Sequence, residues 1–312
     1  MNGLPRLLFH GFGVRKTVFS RHSCWLFAWL LWLVPTVQTV QAEDLLWGVV
    51  PIPGAFTVRD GEVVDGWMYE GVQLLAERLP DLHMRYEVLP TLRLEQRLRN
   101  KEELCSIGQL QSPVRDEIAY FVPYAPGMPL HVLVRRQTLD QLLIDDGHVS
   151  LDWLFANPYL RGGLSKSRIY PEPIRQRLQH ALDEGRLLEM GGSLGGENLV
   201  VMLSLLRLDY VFEYPMISEA VIQSVGITEP LVSVPLRENA ELVTIGIRCP
   251  QTPWGARMAT RLDQAIRAQA GDAQALMVLY EQRWPAEMYA RFESKLRAYF
   301  RQRAEAEPMV FD

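Results

Sequence analysis

Histidine and cysteine are scarce in this 312-residue chain, six of the one and three of the other. Among the histidines beyond residue 42, His83, His131, His148 and His180, no two stand at metal-ligand spacing, so no metal site is expected. A Gly-x-Ser-x-Gly elbow for a nucleophilic serine is missing too. The glycine-rich stretch Gly191-Gly-Ser-Leu-Gly-Gly196 has neither the Gly-x-Gly-x-x-Gly spacing nor a following Gly-Lys-Ser/Thr. It reads as a tight turn after a strand and not as a phosphate cradle. The sequence also lacks charge blocks and low-complexity tracts, which excludes a disordered interaction arm. No catalytic residue and no cofactor follow from these absences.

Long apolar runs are absent as well. The most apolar stretch, from Cys24 to Val34, has eleven residues. At a rise of about 1.5 Å per residue it falls short of a hydrocarbon core about 30 Å thick. It follows Arg6, Arg15, Lys16 and Arg21, with no acidic residue before Glu43, and it leads through Pro35 to Val40-Gln41-Ala42. A basic region, a short apolar core and a small-residue site predict a cleavable secretion signal over residues 1–42, cut after Ala42, and a periplasmic protein. A membrane anchor is the alternative. Without those 42 residues, 28 basic side chains face 37 acidic ones, a net charge of −9. Such a surface disfavours nucleic acid and anionic membranes as partners. It leaves a small-molecule partner open, and a monomer is the expected state.

What is present alternates strand and helix, the pattern of mostly parallel sheets with helical crossovers. Leu45 to Val50 reads as a buried strand, followed by a rigid Pro51-Ile-Pro-Gly loop. A helix fits residues 67–79, where Met68, Val72, Leu75 and Leu79 recur at spacings of four, three and four. Strands are expected at 84–89 and 104–108 with a helix between them, which makes a βαβαβ opening. A second α/β unit follows Arg135, with strands at 160–165, 187–190 and 210–213. From Leu242 an apolar strand resumes, and three helical segments close the chain. Cys105 and Cys249 each sit at a strand-like segment, so a disulfide between neighbouring strands is expected, with two buried thiols as the alternative.

Several short motifs carry a family resemblance. Gly66-Trp-Met-Tyr-Glu-Gly71, Ser112-Pro-Val-Arg115 with Ile118-Ala-Tyr-Phe-Val-Pro-Tyr124, and Asp209-Tyr-Val-Phe-Glu-Tyr-Pro215 occur in that order. In motif and order the chain resembles the periplasmic solute-binding proteins of family 3, which include the amino-acid receptors of ABC importers. The resemblance implies an α/β protein of the type II periplasmic-binding-protein class, with two lobes joined by a two-crossing hinge. Residues 43–135 would begin the first lobe, 136–236 would form the second, and 237–312 would return to the first. The crossings are expected near residues 134–139 and 235–242.

The same resemblance implies a site. Arg115 would clamp a ligand carboxylate with its paired donors, beside Ser112. Phe56, Trp67 and Tyr69 would wall the ligand, with Glu70 near them. The turn holding Ser165, Ser167 and Arg168 would close from the second lobe and offer donors to an anion. Two departures stand out: Met68 replaces the first acidic residue of the first motif, and Tyr214 takes the place of an amine-binding aspartate. The expectation is a carrier of a small, carboxylate-bearing solute for an ABC permease. The alternatives are a module that reports a solute to a membrane sensor and, less favoured, a lyase-type enzyme on the same scaffold.

Overall fold

The first apolar stretch after residue 42 forms strand β1 (Glu43–Val49), in which Leu45, Trp47 and Val49 are fully buried. The structure is a computed structural model that describes residues 43–166, 168–191 and 196–312. The expected signal segment, Ser167 and residues 192–195 of the glycine-rich loop lie outside the described residues. After β1 and the Pro51–Gly54 loop comes a small hairpin, β2 (Thr57–Arg59) and β3 (Glu62–Asp65), for which the sequence reading made no assignment. Its signal was present. Asp60 and Gly61 both take positive φ, 52° and 83°, as the two central residues of a tight hairpin turn require.

Helix α1 (Trp67–Ala76), strand β4 (Leu82–Val88), helix α2 (Thr91–Arg99) and strand β5 (Cys105–Leu110) complete the expected βαβαβ unit. β1 lies between β4 and β5 and runs parallel to both. Its packing against α2 is close enough to demand glycine: a Cβ on Gly48 would sit 2.6 Å from Leu94 Cδ1. A short helix α3 (Pro113–Asp116) leads into strand β6 (Ala119–Gly127) at the edge of this sheet. Its prolines, Pro123 and Pro126, concealed it from a pattern reading, and an edge strand tolerates them because half its amides need no partner.

The chain then enters a second sheet through β7 (His131–Arg135). Helix α4 (Arg136–Leu139), the short strands β8 (Ile144–Asp145) and β9 (His148–Val149), and helix α5 (Leu151–Ala156) cover one end of it. Next come β10 (Gly162–Ser165), α6 (Glu172–Asp183), β11 (Leu187–Met190), α7 (Glu197–Ser204), β12 (Tyr210–Glu213), α8 (Pro215–Val225) and β13 (Leu231–Pro235). β10 sits between β11 and β12 and is parallel to both; β7 and β13 close the sheet in antiparallel pairing. The two sheets therefore share one plan, a parallel trio extended by two strands. Because β7 pairs with β12 and β13, the first crossing falls at residues 128–130, ahead of the expected 134–139.

After the second crossing at residues 236–242, strand β14 (Val243–Pro250) inserts between β5 and β6, antiparallel to both. Helices α9 (Pro253–Gly271), α10 (Gln274–Arg283) and α11 (Ala286–Glu305) then pack Met258, Leu262, Tyr280, Phe292, Leu296 and Phe300 into the first lobe's core. No helix among the described residues is long and apolar enough to cross a membrane.

Cys105 on β5 and Cys249 on β14 are joined in a disulfide, with Cα atoms 4.3 Å apart and both side chains fully buried. The bond closes a loop of 144 residues that contains the entire second sheet. For a loop that long, chain entropy in the unfolded state sets an upper stabilisation of about 5 kcal/mol. Cys249→Ala should therefore lower the melting temperature by well over 5 °C, and reduction should do the same to the wild type. Coincident melts of oxidised and reduced protein would refute this.

His131 opens β7 beside the first crossing and is 3% exposed. Its Nδ1 lies 3.0 Å from Ser233 Oγ. Burial, helped by the Arg291 guanidinium and by His148, pulls its imidazole down to about 4. The unfolded chain binds this proton near pH 6.5, so between about pH 6.5 and 4 it is the unfolded state that holds more protons. Stability is then fully present above pH 6.5 and falls as pH drops through that window, by about 3 kcal/mol from this group alone. Urea midpoints measured from pH 7 to 4 should decline less steeply in His131→Asn than in wild type, and equal slopes would contradict the assignment.

Candidate functional site

In an open parallel sheet, ligand crevices form beyond the carboxyl ends of the strands, where the strand order reverses. Both sheets bring that edge to one place. From the first lobe come Val50 after β1, the end of β5 from Ile107 to Leu110, Met128 after β6, and Val243 and Ile245 at the start of antiparallel β14. From the second come Arg168 and Ile169 after β10, and Tyr214, Met216 and Ile217 after β12. Between them lies a cavity of about 150 Å³. Met216 also packs on the first lobe's core and Ile52 on a cluster of the second, so the lobes touch across the mouth.

The aromatic wall is built by the loop before α1 and by the last residue of α10's turn. Gly66 caps α1 at φ +126°, and a Cβ there would fall 2.2 Å from Ala55 O, so only glycine lets the chain turn Trp67 inward. Trp67 meets Tyr280 edge-on with centroids 5.6 Å apart, and Tyr280 meets Trp284 at 4.9 Å. Tyr280 is pinned by donating to Pro126 O at 2.7 Å. Trp67 and Trp284 both line the cavity.

Arg115, Trp67, Arg168 and Tyr214, all singled out in the sequence, come together in this wall. Ser112, Phe56, Tyr69, Glu70 and Ser165 do not line it. Phe56 is core, 2% exposed. Tyr69 faces Tyr86 at 5.3 Å on the side of α1 away from the cleft, and Glu70 binds Arg283. Ser112 is buried at the start of α3. The backbone N–H of Ser165, expected to meet an anion, donates to Tyr170 OH at 2.7 Å, so the tyrosine hydroxyl occupies the turn.

Arg115 also departs from expectation. Its Nε donates to Glu95 Oε1 at 2.9 Å, and Nη2 donates to the same oxygen. The guanidinium expected to hold a ligand carboxylate is already held by one from α2. Arg168 is likewise bonded to Glu213, which is 1% exposed, and its Cζ lies 5.5 Å from the Tyr214 ring centroid. Burial pushes the Glu213 carboxyl above its ordinary value while the Arg168 guanidinium pulls it back. Burial also raises the Tyr214 phenol, which keeps it a neutral donor.

Ile52, Met128, Met216 and Trp284 were not anticipated. Ile52 and Met216 follow parallel strands by a few residues, a position that could have flagged them. Trp284 reaches the cleft from the far end of the sequence, and no local pattern announces that. Among the described residues, no group of three or more His, Cys, Asp or Glu is gathered to hold a metal.

No protein-family model matches the chain, and no curated protein matches it in sequence. Solved structures match along most of its length. A histidine kinase sensor domain with similarity to periplasmic binding proteins covers 82% of this chain and 96% of its own, with a TM-score of 0.59 at 14% identity. A putative L-cystine ABC transporter protein from Listeria monocytogenes covers 79% and 98%, with a TM-score of 0.59 at 15% identity. An ancestral arginine-binding protein bound to arginine covers 78% and 100%, with a TM-score of 0.60 at 13% identity. Together with the two sheets and two crossings, these likenesses define the fold as the two-lobed, type II periplasmic-binding-protein class.

Breaking one side of a buried ion pair strands the other charge. Arg168→Met should cost about 3–5 kcal/mol in urea unfolding, and Arg168→Met combined with Glu213→Leu should recover most of it. A single variant as stable as wild type would show that the pair does not hold the second lobe's wall.

Proposed function

We propose that this chain is an exported solute-binding protein that captures a small molecule between its two lobes and presents the closed form to a membrane partner. The observation that supports this reading is the placement of the cavity. It lies beyond the carboxyl ends of the parallel strands in both sheets, with walls from each lobe. Two short crossings at residues 128–130 and 236–242 leave hinge rotation as the motion available, which is the repertoire of two-lobed binders. Ile52 and Met216, which already bridge the lobes, would part as the cleft opens. The work asked of the residues is binding and enclosure, not bond chemistry. The protein would act in the periplasm, after removal of residues 1–42, as a monomer.

The partner is an ABC permease or a membrane sensor. Import is favoured by neighbours such as the putative L-cystine ABC transporter protein. Sensing is favoured by the histidine kinase sensor domain, which matches the chain over a similar length. Either partner would read closure of the same hinge.

A thermal-shift screen of the purified protein against amino acids, organic acids, amines, amides and short peptides tests the reading. A ligand binding only the native state at a hundred times its Kd adds about 2.7 kcal/mol, a rise of several degrees. Trp284→Ala should lower the affinity of any hit at least tenfold. A flat response across the panel, or a hit indifferent to Trp284, would count against solute capture in this cleft.

A further inference from the structure

The cleft wall carries charge at two points, Arg115 and Arg168, and the chain neutralises both. Glu95 holds Arg115 from α2, and Glu213 holds Arg168 from the end of β12. Behind Arg115 lies Arg248, 0% exposed, bonded to Asp116 at 3.1 Å and to Leu110 O at 3.2 Å. Two buried guanidiniums are thus balanced by two partly exposed carboxylates, Glu95 and Asp116. Turning Glu95 out to admit a ligand carboxylate would exchange one anion for another and gain no charge. No acidic side chain lines the cavity among the described residues, so an ammonium group would find no partner either. A zwitterion entering here would bury charges that nothing in the wall matches, which is strongly unfavourable.

The remainder of the wall is apolar, with Ile52, Met68, Ile107, Met128 and Met216. Set into it are buried polar atoms without a hydrogen-bond partner among the described residues. They are Trp67 Nε1, Trp284 Nε1 and the Tyr214 hydroxyl, with the Gln109 side-chain oxygen. Buried polar groups in folded proteins are nearly always paired. Three donors and one acceptor, none charged, on side chains of this wall suit a molecule with neutral oxygen acceptors once they turn toward it. An apolar cavity of about 150 Å³ has room for a body the size of benzene.

Resting on the solute-binding reading above, we propose that this cleft selects a small neutral solute, an apolar body carrying a carbonyl or amide, and discriminates against free amino acids and carboxylates. The ligand's carbonyl oxygen would accept from the indole or phenol donors, and its body would replace water against the methionines and isoleucines. Met68 and Tyr214, which stand where acidic residues were looked for, then fit the site: each removes a charge that a neutral ligand does not need.

Matched pairs test this on the wild-type protein: hexanamide against hexanoate, N-acetyl-leucinamide against leucine, and benzamide against benzoate. Affinities would be read by calorimetry and, for the non-aromatic pairs, by tryptophan emission from Trp67 and Trp284. The neutral member of at least one pair should bind, and at least tenfold more tightly than its charged counterpart. Glu95→Gln, which uncovers Arg115, should narrow that ratio by strengthening the carboxylate member. Carboxylates or free amino acids binding as tightly as their neutral partners would overturn neutrality and leave solute capture standing. No binding by any neutral member would overturn it as well, and the broader thermal-shift panel then judges solute capture separately.

Discussion

The insertion of β14 between β5 and β6 is the contact on which the rest of the structure depends. Until β14 returns, the first sheet has an unfilled gap between β5 and its edge strand β6, and the second sheet hangs on one crossing. Pairing β14 on both sides joins strands that are far apart in sequence. Such distant contacts are slow and entropically costly to make. The Cys105–Cys249 bond fixes that contact, since the two cysteines stand opposite each other in the β5–β14 ladder. Disulfides persist in oxidising compartments, so this bond is compatible with the proposed export. Because β14 begins at the cleft with Val243 and Ile245, the strand that completes the fold also forms part of the site's wall.

Electrostatics in the cleft follow from the same strand. Arg248 lies on β14, wholly buried, with burial lowering its guanidinium to about 10 against the pull of Asp116. A buried cation of this kind needs anions close by. Asp116 is adjacent to Arg115 in α3, so placing one places the other, and Glu95 from α2 balances the pair. Arg115 thereby becomes part of a structural cluster under the cleft floor, although its sequence context suggested a ligand clamp. Sequence spacing alone cannot separate those roles. The distinction depends on Glu95, twenty residues earlier in the chain, being within reach.

The strands of the parallel trios and the C-terminal helices were legible in advance, because each leaves a local trace in hydrophobic period or turn residues. The pairing of Cys105 with Cys249 stayed open until the strands were placed. The edge strands β6 and β13 were not legible. β6 contains Pro123 and Pro126, and β13 is bracketed by Pro230 and Pro235, so both resemble linkers. In the last helix the buried stripe runs through Met288, Phe292, Leu296 and Phe300, while Tyr299 is only partly buried. Half of the candidate site was visible for the same reason. Trp67, Arg115, Arg168 and Tyr214 stand beside strand ends, where ligands bind in this architecture. The apolar half, Ile52, Met128, Met216 and Trp284, has no motif of its own and is assembled by tertiary packing.

Neutrality of the wall bears on how closure would be driven. In a site that pairs a charged ligand, closure exchanges well-hydrated ions for fixed partners, and desolvation offsets much of the gain. In this cleft the ions are already paired within each lobe, Arg115 with Glu95 in the first and Arg168 with Glu213 in the second. Opening and closing therefore leave each lobe's ionic bonds intact. What opening would break and closure restore is the contact of apolar surface seen here, Ile52 with the second lobe and Met216 with the first, together with whatever fills the space between Trp67, Trp284 and Tyr214. A hydrophobic term of that kind scales with buried area and is indifferent to ligand charge. Discrimination among neutral solutes would then rest on which oxygen reaches the indole and phenol donors, because leaving a buried donor unpaired is the largest penalty such a site can impose.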